Sequence, residues 1–135
     1  VRIEGQAMKP GLNNGDRVLF SSRGAGDKLE RGDIIIFYYP LDTSKSYVKR
    51  VVGLPGEKLE IREQKVFINE QELPEPYVVQ GEPTYKRMDL TLQVPTGKYF
   101  TLGDNRNFSA DSRDFGAIPD DLIYGKMLFR YSVAN

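Results

Sequence analysis

An all-β fold, a barrel or sandwich of coiled antiparallel sheets with few short helical turns, is predicted by three observations. Helical periodicity is nearly absent from the chain. Period-two alternation of apolar and polar residues recurs instead, in short runs bounded by Gly, Pro, Asn and Asp. Thirteen Gly and eight Pro in 135 residues add a need for many turns.

The elements follow in order. A first strand is expected at Asp16–Phe20, directly after Gly15. The next, Asp33–Tyr39, contains the solidly apolar run Ile34–Tyr39 and should be buried on both faces. Ser46–Val52 follows, with Tyr47, Lys49 and Val51 on one face and Val48, Arg50 and Val52 on the other. Lys58–Arg62 and Lys65–Asn69 read as one hairpin, because Leu59 and Ile61, then Val66 and Ile68, alternate with polar residues across a short polar turn. Lys98–Leu102 and Lys126–Tyr131 complete the strands, and Pro119-Asp120-Asp121-Leu122 suits a single helical turn opened by proline. Leu73–Pro95 carries four prolines and little alternation, so it reads as a loop-rich excursion within one domain spanning 1–135.

A chain this long buries roughly 68–70% of its unfolded surface, enough for one core. It contains neither histidine nor cysteine. That excludes a Ser-His-Asp triad, a histidine or thiolate metal site, a disulfide and a thiol nucleophile. Hydrolytic chemistry would have to run on carboxylates, hydroxyls or lysine. Nineteen Lys+Arg balance nineteen Asp+Glu, so nucleic acid is not an expected partner. No apolar run approaches the ~20 residues of a spanning helix, and the chain opens on Val1 without methionine. An upstream membrane anchor is the corresponding expectation.

Three segments carry candidate chemistry. Gly5-Gln6-Ala7-Met8-Lys9-Pro10-Gly11-Leu12 is a rigid loop whose backbone N–H groups suit polarising a carbonyl, or simply a lead into the first strand. Tyr47-Val48-Lys49-Arg50-Val51-Val52-Gly53-Leu54-Pro55-Gly56 puts two adjacent cations in an apolar strand, where both cannot point outward. An inward Lys49 would be desolvated toward the neutral amine of a general base; otherwise its stem packs and its ammonium reaches water. Gly103-Asp104-Asn105-Arg106-Asn107-Phe108-Ser109-Ala110-Asp111-Ser112-Arg113 offers two Asp-x-Arg pairs, Asp104/Arg106 and Asp111/Arg113, able to fix the loop by bidentate bonds. It lacks the central glycine and terminal glutamate of a calcium loop, and no metal or other cofactor is expected.

Together these segments resemble the catalytic domain of type I signal peptidases, membrane-anchored proteases with a Ser–Lys dyad. The family shows a Ser-Met-x-Pro-Thr-Leu box, a Tyr-x-Lys-Arg-x-x-Gly-x-Pro-Gly box and a Gly-Asp-Asn-Arg-x-x-Ser-x-Asp-Ser-Arg box. The second and third fit at every fixed position. The first departs: Ala7 stands where the nucleophilic serine belongs, and Gly11 replaces threonine.

By this resemblance, a serine at position 7 would attack the carbonyl that follows a small residue of a signal peptide, and neutral Lys49 would take its proton. The Ala7 N–H would supply one oxyanion donor; Gly5 has no side chain for a second. Ser109 would orient Lys49, with Asp104, Arg106, Asp111 and Arg113 holding the third box. Ile3, Met8, Leu12 and Tyr47 would line shallow pockets, and an extended substrate would lie beside the first box, along Gly5 and Gln6. The implied partners are signal peptides of exported precursors and a bilayer, with the domain on its extracytoplasmic face. As written the chain should not cleave by this route. Ala7 is either an introduced substitution or the mark of a natural non-catalytic member that binds precursors or assists assembly of surface structures. A self-cleaving repressor-type Ser–Lys peptidase shares the dyad, but its attached DNA-binding domain is not seen here.

Overall fold

The apolar runs settle into two antiparallel sheets in the computed structural model, which describes residues 1–78 and 89–131. The strands are β1 (Arg17–Ser22), β2 (Ile34–Tyr39), β3 (Asp42–Gly53), β4 (Lys58–Arg62), β5 (Lys65–Ile68), β6 (Gln71–Glu72), β7 (Leu90–Gln93), β8 (Lys98–Leu102), β9 (Ile118–Pro119) and β10 (Ile123–Tyr131). A single α-helical turn, α1 (Ser112–Phe115), and a 3-10 turn, Asp120–Leu122, precede and follow β9. The larger sheet runs β1-β10-β2-β3-β8-β9 and the smaller β6-β5-β4-β7. The mainly β, antiparallel architecture expected from the alternation is the one observed.

The central pair β2–β3 sets the register of the site. Ile35 lies opposite Lys49 and Ile36 opposite Val48. Ile35, Phe37 and Val51 join Leu29, Tyr99, Ile118 and Ile123 in one buried cluster. Val52, Phe100 and Leu102 form a second with Leu59, Val66 and Val94, which seats the smaller sheet on the larger. A third cluster, Ile3, Met8, Leu12 and Val18, anchors the N-terminal loop. Apolar strand faces are buried because each Å² removed from water contributes about 25 cal/mol.

β4 and β8 span the residues expected of them, and the β4–β5 hairpin turns at Glu63-Gln64, with φ of 51° and 64°. Three differences have physical causes. β3 begins at Asp42 because Tyr39 pairs with Asp42 across a tight Pro40-Leu41 turn. β10 begins at Ile123, which pairs with Phe37 before the first alternating residue. Tyr38 is 42% exposed, so β2 is not buried throughout on both faces; its ring stacks on Tyr124 at 4.3 Å instead.

The Leu73–Pro95 excursion is partly sheet. Leu90–Gln93 pairs along β4, and Leu73, Leu90 and Leu92 pack on the second cluster. Residues 79–88 of that segment lie outside the described residues. The two-residue strands β6 and β9 are too short to alternate visibly. The turn expected at Pro119 is a 3-10 turn over Asp120–Leu122 with Pro119 as its cap residue. The unpredicted α1 is set by a capping box: the Asp111 side chain accepts from the backbone of the first turn, and Asp114 reaches back to the Asp111 N–H at 3.1 Å.

Candidate active site

Two loops that are distant in sequence, residues 5–12 and 103–111, meet over Lys49 of β3. The first is closed at its base by Ile3 N–H to the Asp16 carbonyl at 2.7 Å and Gly15 N–H to the Ile3 carbonyl at 2.8 Å. Burial of Met8 and Leu12 holds its inner side. The third box then fastens it: Asn105 donates its N–H to the Ala7 carbonyl at 2.9 Å and its Nδ2 to the Gln6 carbonyl at 3.0 Å. Among the described residues nothing accepts from the Ala7 N–H, whereas the Gly5 N–H is taken by Asn14 Oδ1 at 2.9 Å.

Lys49 points inward from β3 and is 5% exposed. Its Nζ donates to Ser109 Oγ at 3.1 Å and lies 5.6 Å from the centroid of the Tyr47 ring. Burial pushes the Lys49 ammonium below the ordinary lysine range; Asp111 and Asp114 oppose that shift and Arg113 adds to it. Ser109 Oγ in turn donates to Asp111 Oδ2 at 2.9 Å. Asp111 is held from every side, by the Gly103 N–H at 3.0 Å and by Arg113 Nε and Nη2 at 2.8 Å each. Burial alone would raise its carboxyl, but these donors bring it below the usual carboxylate range.

The Asp111/Arg113 pair therefore forms as the sequence suggests. The Asp104/Arg106 pair does not. Asp104 is instead gripped by Arg50, through Nε to Oδ1 at 2.8 Å and Nη2 to Oδ2 at 2.6 Å. Arg106 turns to Glu75, a residue of the excursion that motif reading missed. The reason is reach: Arg50 lies on the strand beneath the loop, so each arginine finds a carboxylate from another segment. Burial pushes the Asp104 carboxyl up despite Arg50 and Arg106.

Gly103 makes the convergence possible. A Cβ there would sit 2.1 Å from Ser109 Oγ and 2.8 Å from the Ala7 carbonyl oxygen. Only a bare backbone lets the loops meet.

Ile3, Ala7, Met8, Tyr47 and Lys49 line one cleft of about 400 Å³, with Arg2, Glu4, Val48 and Ala110 among the further walls. Leu12 does not line it: at 2% exposure it belongs to the core cluster behind the loop, which corrects its expected place in a pocket. Gly5 and Gln6 are exposed on the loop outside the cleft wall. Ser109, Asp104, Arg106, Asp111 and Arg113 stand behind it as a supporting layer. Among the described residues no cluster of three or more Asp or Glu is arranged to hold a metal ion. Chemically, the arrangement presents a desolvated amine, oriented by one hydroxyl, to the surface where Ala7 is placed.

The comparisons agree with the geometry. Residues 1–132 match the family described as signal peptidase, peptidase S26. Signal peptidase IB of Staphylococcus aureus is 37% identical, over 96% of this chain and 75% of that protein. Signal peptidase I of Bacillus amyloliquefaciens is 39% identical over 94% and 70%. The crystal structure of a signal peptidase I from Enterococcus faecalis V583 superposes with a TM-score of 0.65 at 36% identity, covering 76% of this chain and 98% of that one. The chain belongs to the signal peptidase I family, peptidase S26.

Proposed function

We propose that the chain is a signal peptidase I-type endopeptidase domain whose Ser–Lys chemistry is stopped at one atom, the hydroxyl missing from Ala7. The observation that carries this reading is the buried Lys49 Nζ, held by Ser109 at 3.1 Å in the cleft that Ala7 also lines. With serine at position 7, Lys49 removes the hydroxyl proton and the oxygen attacks the scissile carbonyl. The Ala7 N–H is a donor for the oxyanion. Lys49 then returns the proton to the leaving amine, and water resolves the acyl-enzyme by the same base. Substrates are signal peptides of exported precursors, laid extended along the first loop, with small side chains against Ile3, Met8 and Tyr47.

The domain works at the outer face of a bilayer to which the protein is anchored. Among the described residues no helix is long and apolar enough to cross a membrane. A second reading, a non-catalytic member that binds precursors, is favoured by Gly11. That position also lacks a side chain, although a Cβ there would meet nothing closer than 3.7 Å.

One variant separates the two. Ala7→Ser, purified in detergent, should cleave a precursor carrying a small-x-small site, followed by the release of its signal peptide on a gel. A folded Ala7→Ser protein that leaves the precursor intact rejects the enzyme reading and leaves the binding one.

A further inference from the structure

The third box is braced from outside by a residue that belongs to none of the three motifs. Glu75 lies just beyond β6, where the Leu73 N–H donates to the Val66 carbonyl at 2.8 Å and ties the segment to the smaller sheet. Its carboxylate receives both terminal nitrogens of Arg106, Nη1 at 3.0 Å on Oε1 and Nη2 on Oε2. The two side chains are only 9% and 13% exposed, so this is a largely enclosed pair and not a surface one. Tyr77 Oη donates to the same carboxylate at 3.0 Å, and its ring lies under the Arg50 guanidinium at 4.0 Å.

From Arg106 the contacts run straight into the site. Arg106 Nε donates to the Gly103 carbonyl at 2.8 Å, and the Arg106 carbonyl accepts from Arg113 Nη2 at 2.9 Å. Gly103 is the residue whose N–H fixes Asp111 Oδ2 and whose missing Cβ makes room for Ser109. Glu75 thus neutralises the cation that holds both ends of the loop carrying Ser109.

We propose that Glu75, seconded by Tyr77, is a positioning residue for the base, acting through Arg106 and Gly103 to keep Ser109 against Lys49. The proposal deepens the reading of Lys49 as the base and rests on it, but its test needs no turnover. Without the Glu75 charge, the largely enclosed Arg106 guanidinium loses its bidentate carboxylate, and the loop relaxes to let it reach water. Ser109 then withdraws and water reaches Lys49. Desolvation is the largest cause of the depressed Lys49 value, with Arg113 adding to it and the carboxylates of Asp111 and Asp114 opposing it, so admitting water moves its titration upward.

The experiment is a ¹³C NMR titration of Lys49 Cε in the chain as it stands, for the parent, Glu75→Gln and Glu72→Gln. Glu72 is the control because, among the described residues, it pairs only with exposed Lys65, at 3.2 Å. Glu75→Gln is expected to raise the Lys49 midpoint by at least about half a pH unit, threefold in proton affinity, with Glu72→Gln unmoved. A midpoint in Glu75→Gln equal to that of the parent overturns the proposal, as does an equal shift in the control. Should Glu75→Gln fail to give a cooperative thermal transition, Tyr77→Phe replaces it. That variant removes only the hydroxyl contact and must move the midpoint in the same direction. An inert Ala7→Ser protein would defeat the functional reading alone; an unmoved Lys49 defeats this one.

Discussion

Lys49 shows why a buried cation is informative. Lysine is almost never this enclosed unless paired, and among the described residues no carboxylate contacts Nζ directly; its hydrogen-bond partner is the neutral Ser109 hydroxyl. The arrangement disfavours the ammonium, which is what a base needs. In an Ala7→Ser background, cleavage should therefore rise with pH through the depressed Lys49 value and then level. A rate independent of pH across the range in which the protein stays folded removes Lys49 from that role. Lys49→Ala in the same background should abolish turnover while leaving the thermal transition in place. Gly103 makes a steric prediction at the same scale. Gly103→Ala places a methyl 2.5 Å from Ser109 Cβ and should cost about 1–3 kcal/mol in urea unfolding. It should also lower revertant activity by an order of magnitude or more, since Ser109 is the group displaced; full activity would show that Ser109 does not orient the base.

At the scale of elements, the β4–β5 hairpin and α1 show how local chemistry selects geometry. Glu63 and Gln64 both have positive φ, the two-residue turn whose twist matches the strands it joins. Neither residue suits that conformation, which costs an L-residue about 1–2 kcal/mol against less than 1 for the entropy of glycine. Gln64→Gly should stabilise the domain by about 0.5–1 kcal/mol; a lower urea midpoint would contradict the turn assignment. The hairpin was legible because its alternation and its turn are both local. α1 was legible in principle, since Asp111 and Asp114 stand three apart as in a capping box, but Asp111 read first as the partner of Arg113. β7 was hidden for another reason. Leu90-Thr91-Leu92-Gln93 alternates, yet its strand state depends on β4, a partner far back in the chain.

The whole molecule carries a cost for its site that pH should expose. Because the folded Lys49 value lies below the 10.5 of the free side chain, the unfolded chain binds more protons between those two values. Stability from this group therefore rises with pH across that window and its penalty is fully present below it. Lys49→Met should raise the thermal midpoint at neutral pH, with the gain shrinking as pH approaches 10.5. A gain that persists unchanged in alkali would trace the effect to packing instead. Asp111 gives a slope of the same sign in the acid region: its carboxyl is held below the usual range, so the stability it contributes is lost as pH falls. The three clusters meet around β3, so the site sits where the fold is best supported.

Composition and motif order were enough for the chemistry that is open to this chain. The absence of histidine and cysteine left carboxylates, hydroxyls or lysine, and the resemblance carried by the matched boxes singled out Lys49, Ser109 and the missing hydroxyl at Ala7. Alternation was enough for most strands, because a side chain's face is a local property of a β backbone. Partnership between distant charges was not. Asp104 pairs with Arg50 and Arg106 with Glu75, while the neighbours that looked complementary, Asp104 and Arg106, form no bidentate pair. Leu12 likewise moved from pocket to core. An ion pair or a cavity wall depends on which segments the sheets bring within about 3 Å, and that distance is set only when the strands have packed.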